Sequence, residues 1–450
     1  MRITHPTVNH NRFIRINKFL DRLLASKELV KRLQKQAINK VALVPVYWFY
    51  ELDLDFAISE PAGIGEAVDA LLAQLNGAAG SHLVVDLWRL AARAFHTAKR
   101  EDDKNRCLAE AAEQLVADSE SQQGSAMLAA HTLSSAIAQL HGVPGKKDRR
   151  TELRHKLIDL QARVPEEMSS YSHEFDLREI AESIQKAVRR EDLLLALFTF
   201  AALESSPDLN KLVRDAVKSI KRHSFSSLFG SSHLDREGKV IHRSKGAGLG
   251  DGEDESAIIR QIARSEQIRR TVVAYGKIEA ARHAIIDKYY ISDDIFLGLV
   301  QSSPFVPPGL TATFACGFAK FFRGDFVSAT YILTPLLENS LRYILKSSGH
   351  DVTIFDDATQ TQQDRTISSL FEQMRVELDS VLTTEISADI RRLFLDKPGP
   401  HLRHALAHGL LHDGDPYGCD AIYGCWLIFR LCLLPLFPHY QEIRSSWALG

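Results

Sequence analysis

Several chemistries lack their markers in these 450 residues. The sequence has no Cys-x-x-Cys pair and no His-Glu-x-x-His, and its one glycine-rich stretch is not followed by Lys-Ser or Lys-Thr. Its five cysteines, Cys107, Cys316, Cys419, Cys425 and Cys432, are odd in number, which argues against a disulfide framework and fits a reducing cytoplasm. Basic and acidic residues nearly cancel, 55 against 57, so no global field would draw the chain to nucleic acid or to an anionic membrane. Any RNA contact has to come from a local patch. The first twenty residues lack a sustained apolar core, and no signal peptide is expected. The longest apolar run, "AIYGCWLIFRLCLLPLFP", is interrupted by Arg430 and Pro435 and reads as a buried helix, not as a membrane span.

What the sequence has is helical periodicity. Residues 62–205 are rich in helix formers, with apolar positions three and four apart, and helical hairpins follow from that pattern. Trp88, Ala91, Ala92, Phe95 and Ala98, followed by a charged turn and another Ala-rich stretch, suggest tetratricopeptide-type packing without a countable repeat. The stretch "NKVALVPVYWFYELDLDFAI" suits a strand or a helix equally. A sharp change of composition comes at "SSHLDREGKVIHRSKGAGLGDGEDES", where Asp235 to Gly238 signal a turn between short β-like segments. The glycines there are followed by acids that would repel phosphate, so residues 244–254 are expected to be a mobile linker without chemistry. The expected organisation is mostly α. It comprises a solenoid-like helical region over 1–225, an irregular connector with a short hairpin over 226–256, and a C-terminal helical bundle over 257–450.

Chemistry concentrates in "GPHLRHALAHGLLHDGD", residues 399–415. Arg403 and His408 form an Arg-x4-His pattern, which Arg150 and His155 repeat as a decoy in a basic helix start. Pro400 is suited to open a helix, which places Arg403 in its first turn. Five residues on an ideal helix separate Arg403 from His408 by about 140°, so the pair converges only in a cleft or between two copies. His404, His408 and His412 follow an i, i+4, i+8 stripe that invites a zinc reading, but His412 adjoins "DGDPYG", where a helix should end; no metal and no cofactor is expected. Upstream, Glu338 and Arg342 have the spacing of an intrahelical ion pair or of two groups facing a cleft. Cys419, Cys425 and Cys432 are read as core positions of the last helix.

"ATYILTPLLENSLRYILKSSG", followed some way downstream by "LRHALAHGLL", resembles the C-terminal domain of bacterial proteins in the HEPN superfamily (higher eukaryotes and prokaryotes nucleotide-binding). The resemblance runs over residues 326–435 on Pro335, Glu338, Arg342, Arg403, His404, His408 and Gly409; His404 stands where close relatives mostly have Asn. It implies a metal-independent endoribonuclease acting as a homodimer whose two signatures face one cleft, in bacterial conflict or phage defence. His408 would then move the protons and Arg403 would hold the scissile phosphate, assisted by His404, Glu338, Asn339 and Arg342. The chemistry of these residue types agrees: a histidine titrates near neutrality, and a guanidinium matches the charge that grows on phosphate. The expected partners are RNA, a second copy and, through the N-terminal helices, a further protein; no membrane is expected. A non-catalytic HEPN-like binding module and a helical dimerisation scaffold are the alternatives.

Overall fold

A computed structural model describes residues 26–75, 82–122, 124–168, 174–189, 192–222, 231–235, 237–244, 255–397 and 399–447. The chain is mostly α and forms two compact units, residues 1–171 with 234–239, and residues 172–233 with 240–450.

In the first unit, helices at 26–39, Leu43–Asp55, Pro61–Gln74, His82–Thr97, Glu101–Ser121, Ala126–Gln139 and Lys147–Glu167 follow one another, and most pack on their neighbours in sequence. Small residues permit the close approach. Ala91, Ala92 and Ala94 are buried on one helix, and a Cβ on Gly65 of the preceding helix would stand 2.8 Å from the Phe95 ring. The stretch that suited strand or helix is helical over Leu43–Asp55. It buries Val46 and Tyr50 while leaving Val44, Trp48 and Leu52 exposed, so apolar side chains occupy two of its faces and mask the helical period. Asp53, fully buried, lies in the last turn of this helix. Its carboxylate accepts from Gln34 Nε2 at 2.7 Å, from the Ser59 amide at 2.7 Å and from Ser59 Oγ at 2.9 Å, which meets the cost of burying it.

The second unit is built around the Cys419–Leu433 helix, in which every residue from Ala421 to Phe429 is buried. Phe200, Phe296, Phe318 and Phe322 surround Phe429 with ring centroids 5.1–6.1 Å away. Trp426 Nε1 donates to the Phe200 carbonyl and Arg430 Nη1 to the Ala201 carbonyl, both at 2.9 Å, capping the end of the Leu193–Ala201 helix. The stretch Cys419–Ser445 is long and apolar enough to cross a bilayer, and 72% of its most apolar window is buried inside the protein. Cys425 and Cys432 are core residues and Cys419 is half-buried; burial pushes the Cys425 thiol up to about 12.

One expected boundary needs correction, while the expected connector hairpin is present. The first region does not extend to residue 225, because residues 172–222 belong to the second unit. "LLLALFTFA" at Leu193–Ala201 is apolar on all sides and therefore goes into the larger aromatic core instead of lying on a two-sided solenoid. The connector is a strand pair, Ser231–Leu234 with Val240–Ser244, whose turn is closed by Asp235: its Oδ1 accepts the Glu237 and Lys239 amides at 2.9 and 2.8 Å. Gly238 there has φ +76°, and a Cβ would fall 2.1 Å from the Gln161 carbonyl oxygen. Residues 245–254 of the expected linker lie outside the described residues. The second unit also carries an antiparallel hairpin that was not anticipated, Thr353–Asp356 with Thr361–Asp364.

Candidate active site

Two elements of the second unit supply the site. The Phe326–Ser347 helix starts at Asp325, whose carboxylate accepts the Ser328 amide at 3.1 Å. One face buries Leu333, Leu337, Leu341 and Leu345 in the core. Glu338 and Arg342 stand half-buried beside it, and Asn339 is exposed.

The second element is the short helix Leu402–Ala407. Its start differs from expectation. Pro400 lies in a turn, and His401, with φ +50°, is the N-cap. Gly399 explains the delay: a Cβ there would stand 2.4 Å from the Arg392 carbonyl oxygen, so the loop packs against the preceding helix before the new one can begin. Leu402 is buried against Gly424, and this contact fixes the helix to the core. Arg403 sits in the first turn, as its position after Pro400 suggested. His408 is the C-cap, and Gly409 follows at φ +63° with Leu410 N donating to the Ala405 carbonyl at 2.8 Å. His408 therefore lies just outside the helix, and the ideal 140° offset does not describe it.

The two elements meet through a shared carboxylate. Glu338 Oε1 accepts from Arg342 Nη1 at 2.8 Å, and Glu338 Oε2 accepts from Arg403 Nη2 at 3.2 Å across 65 residues of sequence. Arg342 also donates to the Arg365 carbonyl at 3.0 Å, which anchors it to the segment after the hairpin. Glu338 is thus both an intrahelical ion-pair partner and the group that holds Arg403. Asn339 is not joined to Arg403 or His408 by a hydrogen bond among the described residues; it lines, with Arg342, Lys346 and His350, an open groove of about 520 Å³.

Beside Arg403 the imidazoles stack. The His401 and His404 rings lie 4.5 Å apart and nearly parallel, and the His404 and His408 rings lie 4.3 Å apart at 48°. Burial lowers the pKa of His404, and the positive groups His408, Lys397 and Arg403 lower it further. His401 is lowered in the same way, by burial first and then by His404, Lys397, Arg403 and His408. His404 therefore gives up its proton more readily than an ordinary imidazole. His408 is exposed to solvent at the end of the stack. His401 was missed in the sequence; its signal was the i, i+3 spacing to His404. His412 is in the loop beyond Gly409, with its amide bonded to Asp415 Oδ2 at 2.8 Å, so the three-histidine stripe is broken. Among the described residues no group of three His, Cys, Asp or Glu side chains is placed to hold a metal. The decoy His155 is exposed on the Lys147–Glu167 helix of the first unit.

The arrangement offers an anchored guanidinium, an exposed imidazole and a second imidazole stacked on it whose pKa is lowered, parts suited to acid–base chemistry on an anionic substrate. No protein-family model matches the chain, and neither a curated protein nor a solved structure is significantly similar to it.

Proposed function

We propose that the protein is a metal-independent endoribonuclease that acts as a homodimer, with Arg403 and His408 as its catalytic residues. The observation that carries this reading is the Glu338 bridge, which ties Arg403, on the same short helix as His404, to Arg342. His408 takes the proton of a ribose 2′-hydroxyl as its oxygen attacks the adjacent phosphorus, and the imidazolium so formed returns a proton to the departing 5′-oxygen. The products are a 2′,3′-cyclic phosphate and a 5′-hydroxyl. Arg403 stabilises the charge gathering on the phosphate oxygens. Glu338 and Arg342 position Arg403, His404 orients His408, and Asn339 lines the approach along the groove.

A dimer is favoured by the outer face of the Phe326–Ser347 helix. Val327 and Tyr331 are exposed there at 39% and 44%, with Pro335 exposed after them. At 100° per residue, Val327, Tyr331, Pro335, Glu338 and Arg342 fall within about 80° of the helix circumference. A second copy seated on the apolar end of this face brings two Glu338–Arg403 sites to one cleft. A role in bacterial conflict follows from the resemblance in residues 326–435, and a cytoplasmic setting from the odd number of cysteines.

The test is incubation of the purified chain with a structured RNA in EDTA, with end-group analysis of the products and light scattering on the same sample. The reading expects cyclic-phosphate ends from a dimer. Intact RNA bound by a dimer would favour a non-catalytic binding module, and intact unbound RNA a dimerisation scaffold.

A further inference from the structure

With 57 acids against 55 basic groups the chain offers RNA no global attraction, so a substrate of that kind needs a local field. The Leu209–Arg222 helix of the second unit supplies one. Five of its 14 residues, Lys211, Arg214, Lys218, Lys221 and Arg222, are cationic and exposed, and Asp215 is its single acid. The helix therefore carries a net charge of +4, in a chain whose net charge is -2.

The cations share one side. At 100° per residue they fall within an arc of about 100°, roughly opposite Leu212, Ala216 and Ile220. Those three turn inward: Ala216 is buried and the other two are half-buried, and the helix packs on the Glu255–Thr271 and Thr384–Phe394 helices. The Thr384–Phe394 helix packs in turn on Leu402–Ala407, which carries Arg403. Two interaxial distances, on the order of 20 Å, separate the basic helix from the site.

Helix stability does not account for this stripe. Lys221 and Arg222 suit the negative end of the helix dipole, but Lys211 lies in the first turn, where the positive end opposes a cation. Arg214 and Lys218, and Lys218 and Arg222, are like charges four residues apart, a spacing that weakens a helix. Among the described residues none of the five side chains has an ion pair or hydrogen bond, whereas Arg100, Arg106 and Arg149 of the first unit each hold a carboxylate. The neighbouring Asp208 is engaged elsewhere, its Oδ1 accepting the Lys211 amide at 2.9 Å.

The charge calls for a polyanion. From Lys211 to Arg222 the stripe runs about 16 Å, and one strand of a duplex carries a phosphate about every 3.4 Å, so four or five phosphates span it. A protein interface has an apolar centre, and no apolar side chain lies within the basic arc. An anionic bilayer would take the helix by its apolar face, which is turned into the protein. We infer that the outer face of the Leu209–Arg222 helix holds the phosphate backbone of RNA outside the Glu338–Arg403 site and without regard to base sequence, which presumes the RNA substrate proposed for that site.

Fluorescence anisotropy of the full chain tests this with a 2′-O-methyl RNA of about 20 nucleotides, long enough at about 3.4 Å per phosphate to reach from stripe to site. That RNA has no free 2′-hydroxyl to attack phosphate, so binding is read whether or not the chain is a nuclease. Wild type should bind, more weakly as salt rises. Lys211→Gln/Arg214→Gln/Lys218→Gln should bind about tenfold or more weakly near 0.15 M salt, with a log–log salt slope shallower by about 2, from on the order of 0.7 per lost single-strand contact. Lys218→Gln alone, with a slope shallower by about 0.7, serves if the triple variant fails to fold. Lys31→Gln/Lys35→Gln/Lys40→Gln, at exposed positions of the first unit, changes net charge equally and should match wild type. No binding by wild type, unchanged affinity and slope in the folded helix variants, or equal losses in both triple variants would each overturn the proposal. Phosphatidylserine vesicles bound more tightly than RNA, and released by the same helix variant, would overturn the RNA assignment. Cleavage of ordinary RNA by wild type with binding intact in the helix variant would sink the stripe alone; binding lost in that variant with no RNA cut by wild type would sink the nuclease reading alone.

Discussion

The two units handle charge differently. In the first, the pairs lie on the surface: Arg106 with Asp69 at 2.6 Å, Arg149 with Glu113 at 2.7 Å and Arg100 with Glu66 at 2.5 Å, all well exposed. The first unit also buries the carboxylates of Asp53 and Asp118, but in the second, ion pairs themselves go inside. Glu266, Arg270 and Asp389 are 1%, 2% and 0% exposed, and Asp389 accepts from Tyr423 Oη at 2.7 Å and Ser206 Oγ at 3.0 Å. Surface pairs add little to stability, whereas buried ones cost desolvation and are tolerated only with good partners. The first unit is therefore held mainly by sequential packing of small apolar faces, and the second accepts an expensive polar interior. Perturbed and buried charge of that kind marks functional regions more often than scaffolds.

Asp389→Ala should produce the largest effect on stability. It strands Tyr423 and part of Arg269, and a loss of about 3–5 kcal/mol is expected in a denaturant melt. An unchanged midpoint would show that the buried network contributes nothing. Glu338→Gln comes next. It weakens the hold on Arg403, and RNA cleavage should fall about tenfold with the thermal midpoint nearly intact, the scale of one charge-assisted bond; unchanged cleavage would separate the bridge from the chemistry.

Acid separates the units more gently. His401 and His404 have folded-state pKa values below the ordinary 6.5, so the folded state binds fewer protons than the unfolded state there. Their contribution is complete well above 6.5 and is lost as the pH falls below it toward the folded values. Asp396, raised by burial, offsets part of this. In the first unit Glu152 and Glu167 are lowered from 4.5, Glu152 chiefly by its bond to Arg149 and Glu167 by the Ala126 amide, so their contribution persists until the pH drops below about 4.5. Hydrogen exchange compared at pH 7 and pH 5.5, after correction for intrinsic rates, should show faster opening over 402–410 and little change in the first unit. The smallest effect belongs to Arg106→Ala, which should cost less than about 1 kcal/mol. A larger loss would erase the contrast between the units.

The helical class was legible in the sequence because apolar spacing in the Ala-rich stretches is regular. Where an element is apolar on several faces, period carries less information. That is why Leu43–Asp55 suited either state and why Leu193–Ala201 was grouped with the wrong unit, although its lack of a polar face was a usable sign. The hairpin at 353–364 escaped because its residues are almost all exposed and its two apolar side chains, Ile354 and Phe355, are adjacent and give no alternation. In the site, the Glu338–Arg342 pairing was readable from spacing, and the first-turn position of Arg403 from the proline before it. The reach of Glu338 to Arg403 was not readable, since only the tertiary fold joins positions 65 apart. The break of the histidine stripe after Ala407 depended on backbone geometry at His401 and Gly409.

The most direct measurement is the rate of RNA cleavage in EDTA by the wild-type chain, His408→Ala and the decoy variant His155→Ala, with RNA affinity and thermal midpoint recorded for each. The account predicts that wild type and His155→Ala cut equally. It predicts that His408→Ala loses about a hundredfold or more while still folding and binding RNA, since a proton-transfer group acts in the transition state. Cleavage that stops with chelator, or a His408→Ala protein that cuts at the wild-type rate, would contradict it.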